Sequence, residues 1–266
     1  MHQEQLDEFK TWLRQYVAGF YGEDPCVNAG TKVKEDHTWR TCDEITSLAG
    51  ELGLDANQRL VAQTVALLHD VGRFPQFAQY RTYNDAESVD HSLLGVEILR
   101  QQNVLSKLEQ QERQLIETAI QYHGRKQLPP DLNGQALLFA KLLRDADKLD
   151  VLHIVTEEYG TNKASPDEVS VETEPPHGSR YSGEIVRALL AGQLIEYNAV
   201  RTLNDMKLCQ VGWVYDVNFA GTLRRIRQRR FLEKIFASLP VTADIEQVKA
   251  RILTHLDQRI RQGASS

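Results

Sequence analysis

The sequence predicts an all-α fold, and three observations lead to this prediction. Apolar residues recur with the period of an amphipathic helix along most of the 266-residue chain. Alternation typical of a strand is nearly confined to one short stretch, 167–174 (DEVSVETE), which could form a hairpin arm. Residues that end helices, such as Gly53, Gly124 and the Pro129–Pro130 pair, fall between the periodic segments.

The helices follow from this pattern in chain order. The first segment, MHQEQLDEFKTWLRQYV, is amphipathic and lacks the continuous apolar stretch of a signal peptide. Later segments are separated by breakers such as Gly53, Pro75, Gly124 and the Pro129–Pro130 pair. The predicted helices span residues 3–20, 35–52, 56–70, 90–101, 109–124, 134–159, 183–207, 219–237 and 243–262.

These helices are expected to form a single all-α domain over residues 1–266. The long connection 160–182 is polar and contains prolines, so it is predicted to be a lid or an arm. Residues 183–266 would then form a C-terminal helical extension.

The composition excludes several classes of protein. Hydrophobic residues make up 41% of the chain and charged residues 26%, which is typical of a globular protein. The net charge of -6 argues against non-specific binding of nucleic acid. Three scattered cysteines without a CxxC pair suggest a reducing compartment. No stretch approaches the roughly 20 apolar residues of a membrane span, so a cytoplasmic protein without membrane contact is expected.

The segment VALLHDVGRFPQF places a histidine and an aspartate where the helical pattern predicts the protein core. His69 shares a helix face with Val61 and Val65, so its side chain should point inward. Asp70 follows about 100° round the same helix end. An aspartate is almost never fully buried unless it is paired or bound to a metal. The pair therefore indicates a polar site inside the fold.

Three more histidines and one aspartate show the same inward phase. His37 lies in KEDHTWRTCDEI, and His91 opens DHSLLGVEILR, where Gly95 would let another helix approach closely. His123 closes ETAIQYHG, and Asp147 follows Leu143 on an apolar stripe. Each residue alone is compatible with an ordinary core position. Together they form a nitrogen and oxygen ligand set without cysteine, which suits Fe, Mn, Co, Ni or Zn. Six such residues are enough for two divalent ions that share a carboxylate.

The order of these residues resembles the HD-domain superfamily of metal-dependent phosphohydrolases. LLHDVGR followed by HSLLGVEIL, QYH and LRDADKLD carries the resemblance, which covers an HD metal-binding core at residues 33–155. The resemblance implies a helical bundle in which His37, His69, Asp70 and Asp147 form the basic metal set. Asp145 is the competing last ligand. His91 and His123 would match the additional ligands of binuclear members, with Asp70 bridging two metals.

The resemblance also defines the alternatives. The chain departs from the HD-GYP phosphodiesterases, because Arg73 replaces the lysine after HDxG, Gly124 replaces the second histidine of a His-His pair, and no GYP follows. The same six ligand types occur in HD-type di-iron oxygenases, so the ligand set does not separate them from hydrolases. Non-catalytic HD scaffolds used in signalling form a third class.

We expect hydrolysis of a phosphoester or phosphoanhydride of a small phosphorylated metabolite, with nucleotides as the first candidates. Asp70 and Arg73 are the candidate catalytic residues. Arg73, Lys126 and Lys148 are candidates for contacting the substrate phosphate. The alternative is an acid-paired surface side chain for Arg73 and a solvated side chain for each lysine. The sequence gives no indication of the oligomeric state.

Overall fold

The structure, a computed structural model, describes residues 1–161 and 180–263. Every regular element in these two ranges is helical, so the predicted all-α class is confirmed. The α-helices are α1 (Gln3–Ala18), α2 (Pro25–Glu51), α3 (Ala56–Leu68), α4 (Arg73–Tyr80), α5 (His91–Gln101), α6 (Gln110–Tyr122), α7 (Gly134–Thr161), α8 (Gly183–Leu190), α9 (Leu203–Gly212), α10 (Ala220–Gln228), α11 (Phe231–Ala237) and α12 (Ala243–Gly263). No helix in the described ranges has the length and apolar character of a membrane span.

The chain divides into two compact units, Met1–Asp150 and Val151–Ser266, each of which is described by itself. The expectation of a single domain stays a prediction. The predicted arm at 167–174 and most of the predicted lid at 160–182 lie outside the described residues.

Helix α3 lies at the centre of the first unit, where it packs against α1, α2 and α6. From Val61 onward most of the helix is buried, including Val65 and Leu68, so apolar side chains surround the helix instead of forming one stripe. Helix α4 packs against α2 and α5, and α5 also packs against α6. Because α3 is enclosed in this way, the residues that follow its last turn lie in the interior.

Helix α2 begins ten residues earlier than the predicted start at residue 35. The Asp24 side chain caps it by accepting hydrogen bonds from the backbone N–H groups of Cys26 (2.9 Å) and Val27 (3.2 Å). Pro25 occupies the first helical position, where its missing N–H costs nothing. The longer helix places His37 in the middle of α2 rather than near its beginning.

The prediction that Pro75 breaks the chain between helices was wrong. Pro75 lies in the first turn of α4, where the backbone nitrogen has no partner within the helix to lose. Helix α4 instead ends at Tyr80, and the next residue, Arg81, adopts a left-handed conformation with φ 58°. This short helix follows the His69–Asp70 pair directly and therefore positions Arg73.

In the second unit, the single helix predicted over 183–207 was wrong. Helix α8 ends before Gly192, whose φ of 74° reverses the chain, and α9 starts again at Leu203 after the Thr202 cap. The predicted helix over 219–237 is likewise divided, because Arg230 is left-handed with φ 56°. Helix α12 packs against α8, α10 and α11.

Candidate metal centre

The four histidines of the predicted site enter one buried region from four helices of the first unit. His37 lies within α2, and His91 is the first residue of α5. His69 and His123 each follow the last residue of a helix, α3 and α6 respectively. Asp70 comes directly after His69, and all five side chains are buried. The helix ends and the middle of α2 therefore bring together residues that are far apart in sequence.

Glycines permit this close approach. A Cβ atom added to Gly72 would lie 2.1 Å from the backbone oxygen of His91, closer than two such atoms can come. A Cβ atom on Gly95 would lie 3.3 Å from the backbone nitrogen of Gly72. The glycine of the HDVG segment thus lets α5 approach the chain just after Asp70, which brings His91 to the site. The expected close approach at Gly95 is observed.

The first group of ligand atoms consists of His37, His69 and one oxygen of Asp70. The Nε2 atoms of the two histidines are 3.2 Å apart. They lie 3.4 Å and 3.5 Å from Oδ2 of Asp70. Oδ1 of Asp147 approaches the same nitrogens at 3.2 Å for His37 and 3.9 Å for His69. Asp145 is also buried, but on helix α7 it lies about 200° round the axis from Asp147 and therefore on nearly the opposite face. The geometry thus favours Asp147 as the last ligand.

The second group consists of His91, His123 and the other oxygen of Asp70. The Nε2 atoms of the two histidines are 3.0 Å apart. Each lies 3.6 Å from Oδ1 of Asp70. The Asp70 carboxylate therefore stands between two histidine pairs and presents a different oxygen to each.

Hydrogen bonds at the far side of each ring fix which nitrogen faces the centre. Nδ1 of His37 lies 2.7 Å from Oδ2 of Asp150, and Nδ1 of His91 lies 2.7 Å from Oδ2 of Asp85. The Nδ1 atoms of His69 and His123 each lie 2.7 Å from a backbone carbonyl oxygen. Because all four neighbours are acceptors, we assign the proton to Nδ1 and the lone pair to Nε2.

This assignment tests whether metal ions fit the site. With all four histidines neutral, each pair of Nε2 atoms would bring two lone pairs to 3.0–3.2 Å, an arrangement that a shared cation stabilises. Ligand atoms bound at about 2.0–2.2 Å from one metal lie about 2.8–3.6 Å from each other in tetrahedral or octahedral geometry. Most of the distances in both groups fall in or close to this range. The residues present therefore fit divalent metal ions.

The electrostatics of the histidines suit this role. Burial is the largest influence, and it lowers the pKa of both His69 and His91 to about 4. Burial acts on His37 in the same direction, but the carboxylates around it, chiefly Asp147 and Asp150, outweigh it and raise the pKa of His37 to about 9. His69 and His91 are thus neutral at neutral pH, whereas a metal ion would displace a proton from His37.

The carboxylates remain ionised in spite of burial. Burial alone would raise the pKa of Asp70, but the neighbouring His69 and Lys34 help to hold it well below its usual range. The pKa of Asp147 is lowered in the same way, since the hydrogen bond and the charge of His37 overcome the effect of burial. Ionised carboxylates are the form that binds metals.

Two carboxylates behind the histidines were missed by the sequence analysis. Asp150 is held by Arg40, whose Nε and Nη2 donate to it at 2.5 Å and 3.0 Å. Asp85 accepts from Nη1 of Arg73 and from Nε2 of Gln76, both at 2.9 Å. Carboxylates that orient metal-binding histidines in this way are typical of metal sites. Spacing alone could not pair Asp150 with His37, because 113 positions separate them.

The structure also places the predicted phosphate-binding cations. Nη1 of Arg73 donates to Asp85, to Gln76 and to the backbone oxygen of Tyr83. Its Nε atom is buried without a hydrogen-bond partner, 3.7 Å from Oδ1 of Asp70. Lys126 is exposed and Lys148 is half-buried, and their roles stay predictions.

Lys34, which the sequence analysis missed, lies closer to the centre. Its side chain is buried, with Nζ 3.4 Å from Oδ2 of Asp70 and 4.9 Å from the centre of the Tyr83 ring. Its position one turn before His37 on α2 was the sequence feature that could have identified it.

The fold and the site define a class of protein: an all-α protein with a buried histidine–aspartate cluster that fits metal ions. Comparison with protein families matches the HD domain to residues 35–152. Residues 35–152 thus match the HD-domain family model, and the resemblance drawn from the sequence is confirmed at that level. No curated protein and no solved structure matches the chain. HD domains bind divalent metals, and most members of the family are metal-dependent phosphohydrolases, although some are not catalytic.

Proposed function

We propose that this protein is a binuclear metal-dependent phosphohydrolase that acts on a small phosphorylated metabolite. One observation carries the proposal: Asp70 directs Oδ2 toward the His37–His69 pair and Oδ1 toward the His91–His123 pair. A site for a single ion needs only one such pair. A carboxylate placed between two pairs is the arrangement of a bridging ligand.

In this proposal, His37, His69, Asp70 and Asp147 would hold one metal, and His91, His123 and Asp70 would hold the other. When bound, two such ions would lower the pKa of a water molecule and stabilise the attacking and leaving oxygens of a phosphoryl transfer. The protein's own contribution is orientation. Asp150 and Asp85 hold the imidazoles of His37 and His91 with Nε2 facing the centre.

The cations around the site support an anionic substrate. Nε of Arg73 and Nζ of Lys34 lie near opposite oxygens of Asp70, at 3.7 Å and 3.4 Å. A buried N–H donor without a partner, such as Nε of Arg73, is costly unless a ligand or water satisfies it. Phosphate oxygens are suitable acceptors. We take nucleotides as the first class of substrate to test, on the strength of the family resemblance.

The test is phosphate release by protein reconstituted with Mn²⁺ or Co²⁺ under strict anaerobiosis, on a panel of nucleotides and phosphoesters. We expect turnover of at least one compound, because the proposed reaction needs Lewis acidity and an activated water but no oxygen. Asp70→Ala should abolish it, since this residue serves both metals. Asp36→Ala is the matched control, because Asp36 lies on the same helix as His37 but its half-buried side chain pairs with Lys32 rather than with the site.

Two results would overturn the proposal. One is full activity of Asp70→Ala. The other is that no compound of the panel releases phosphate, while the iron-loaded protein consumes O₂ when oxygen is supplied. That result would assign the chain to the HD-type oxygenases instead.

A further inference from the structure

We propose that Lys34 binds the phosphoryl group of the substrate and makes the site selective for dianionic terminal phosphates over monoanionic phosphodiesters. This inference rests on the proposed phosphohydrolase function. It concerns a residue outside the metal-binding motif, on the buried part of helix α2.

The surroundings of Lys34 fix its ammonium group at the metal centre. The residue is only 7% exposed, and Nζ lies 3.4 Å from Oδ2 of Asp70. The ring of Tyr83 lies beneath it at 4.9 Å. Tyr83 is itself held, because its hydroxyl donates to the backbone oxygen of Gly30 (2.8 Å) and its ring stacks on Phe77 with 4.6 Å between centroids. The lysine therefore cannot leave the site without losing both an ion pair and a cation–π contact.

The charge of Lys34 is compensated only while Asp70 is free to pair with it. If Asp70 coordinates two divalent ions, its single negative charge is shared between them, and Lys34 becomes an additional cation beside them. A buried cation in such a position is costly unless an anion lies next to it. The substrate's phosphoryl oxygens would supply that anion, and a dianion would gain more from the extra charge than a monoanion would.

Lys34 is better suited to this role than the cations that the sequence suggested. Nη1 of Arg73 already donates to Asp85, to Gln76 and to the backbone oxygen of Tyr83, and its Nε atom lies 3.7 Å from Asp70. A lysine ammonium carries three donors on one nitrogen. Its 3.4 Å separation from Asp70 is long for a charge-assisted hydrogen bond, so these donors remain open to a closer acceptor.

The experiment compares Lys34→Met with Lys32→Met in the full-length, Mn²⁺-reconstituted protein. Lys32 lies on the same helix, is 59% exposed and pairs with Asp36, so its replacement removes the same charge away from the site. The readouts are metal content, calorimetric affinity for inorganic phosphate and for dimethyl phosphate, and KM and kcat for a phosphomonoester and a phosphodiester.

We expect Lys34→Met to bind inorganic phosphate about tenfold or more weakly, the loss of one charge-assisted hydrogen bond. The affinity for dimethyl phosphate should fall less, and the preference for the monoester should decrease. Metal content should stay that of the wild type, and Lys34→Arg, which keeps the charge, should recover part of the phosphate affinity. Lys32→Met should match the wild type in every readout.

Unchanged phosphate affinity in metal-loaded Lys34→Met would overturn the inference, as would equal losses for phosphate and dimethyl phosphate. Should Lys34→Met not fold, Lys34→Gln replaces it in the same comparison. If the wild type cleaves no phosphoester yet binds phosphate in a Lys34-dependent way, the proposed function fails while the assignment of Lys34 as an anion-binding residue stands.

Discussion

At the scale of single residues, the site depends on groups that never touch the centre. Asp150 and Asp85 occupy equivalent positions on its two sides, each accepting from Nδ1 of one histidine and each held by an arginine. The carboxylates keep the imidazoles in the tautomer that ligates through Nε2 and increase their basicity. Each side of the site can therefore be weakened separately.

Asp150→Asn should weaken the metal held by His37 and His69, and Asp85→Asn should weaken the metal held by His91 and His123. The amide keeps an oxygen acceptor for Nδ1 but loses the charge, so we expect a loss of metal affinity of about 10- to 100-fold on the affected side only. Titration with a competing chelator measures both affinities, and Asp36→Asn serves as the control, because the Asp36 side chain pairs with Lys32 and not with a histidine of the site. Equal losses at both sides in either variant would contradict the assignment of one carboxylate to each histidine pair.

At the scale of elements, the site requires that α5 come unusually close to the turn after α3. Gly72→Ala should lower the free energy of unfolding by about 1–3 kcal/mol, because the new methyl group would overlap the backbone oxygen of His91. Gly50→Ala is the matched control, since a Cβ atom there meets nothing within 4 Å. It should raise the stability by about 0.5–1 kcal/mol, as alanine does within a helix. Urea unfolding measures both, and a Gly72→Ala protein as stable as the wild type would contradict the close approach.

The elements also show how far the sequence could predict this molecule. Helical periodicity identified the all-α class and the inward phase of His69, because both depend on neighbours within two turns. It did not identify α4. A helix tolerates a proline such as Pro75 in its first turn, but the apolar pattern does not show where that turn begins. It also missed the interruption at Gly192, where a left-handed residue ends α8 inside a continuous helical pattern.

The residues of the candidate site also fall into those that the sequence could identify and those that it could not. The six proposed ligands could be selected from their phase and from the family resemblance. Asp85 and Asp150 could not, because their importance lies in contacts with histidines that are distant along the chain or on another element. Lys34 lies one turn before His37, but its contact with Asp70 is visible only in the structure. Such contacts depend on how the helices pack, and a one-dimensional pattern does not contain that information.

At the scale of the whole molecule, the helices of the first unit bring residues that are far apart in sequence to one carboxylate, that of Asp70. The six proposed ligands range from His37 to Asp147, and α2, α3, α5, α6 and α7 each contribute at least one of them or the residue directly after their last turn. The buried polar groups would be costly in an otherwise apolar interior without the ions that they fit. We therefore propose that the first unit of this protein is organised around two metals.

The most direct test is the anomalous difference density of Mn²⁺ in crystals of the reconstituted full-length protein. We expect two peaks about 3.5–4 Å apart. One should lie within bonding distance of His37, His69 and Asp147, the other of His91 and His123, with one oxygen of Asp70 bound to each. A single peak, or two peaks of which only one contacts Asp70, would contradict the bridged binuclear centre.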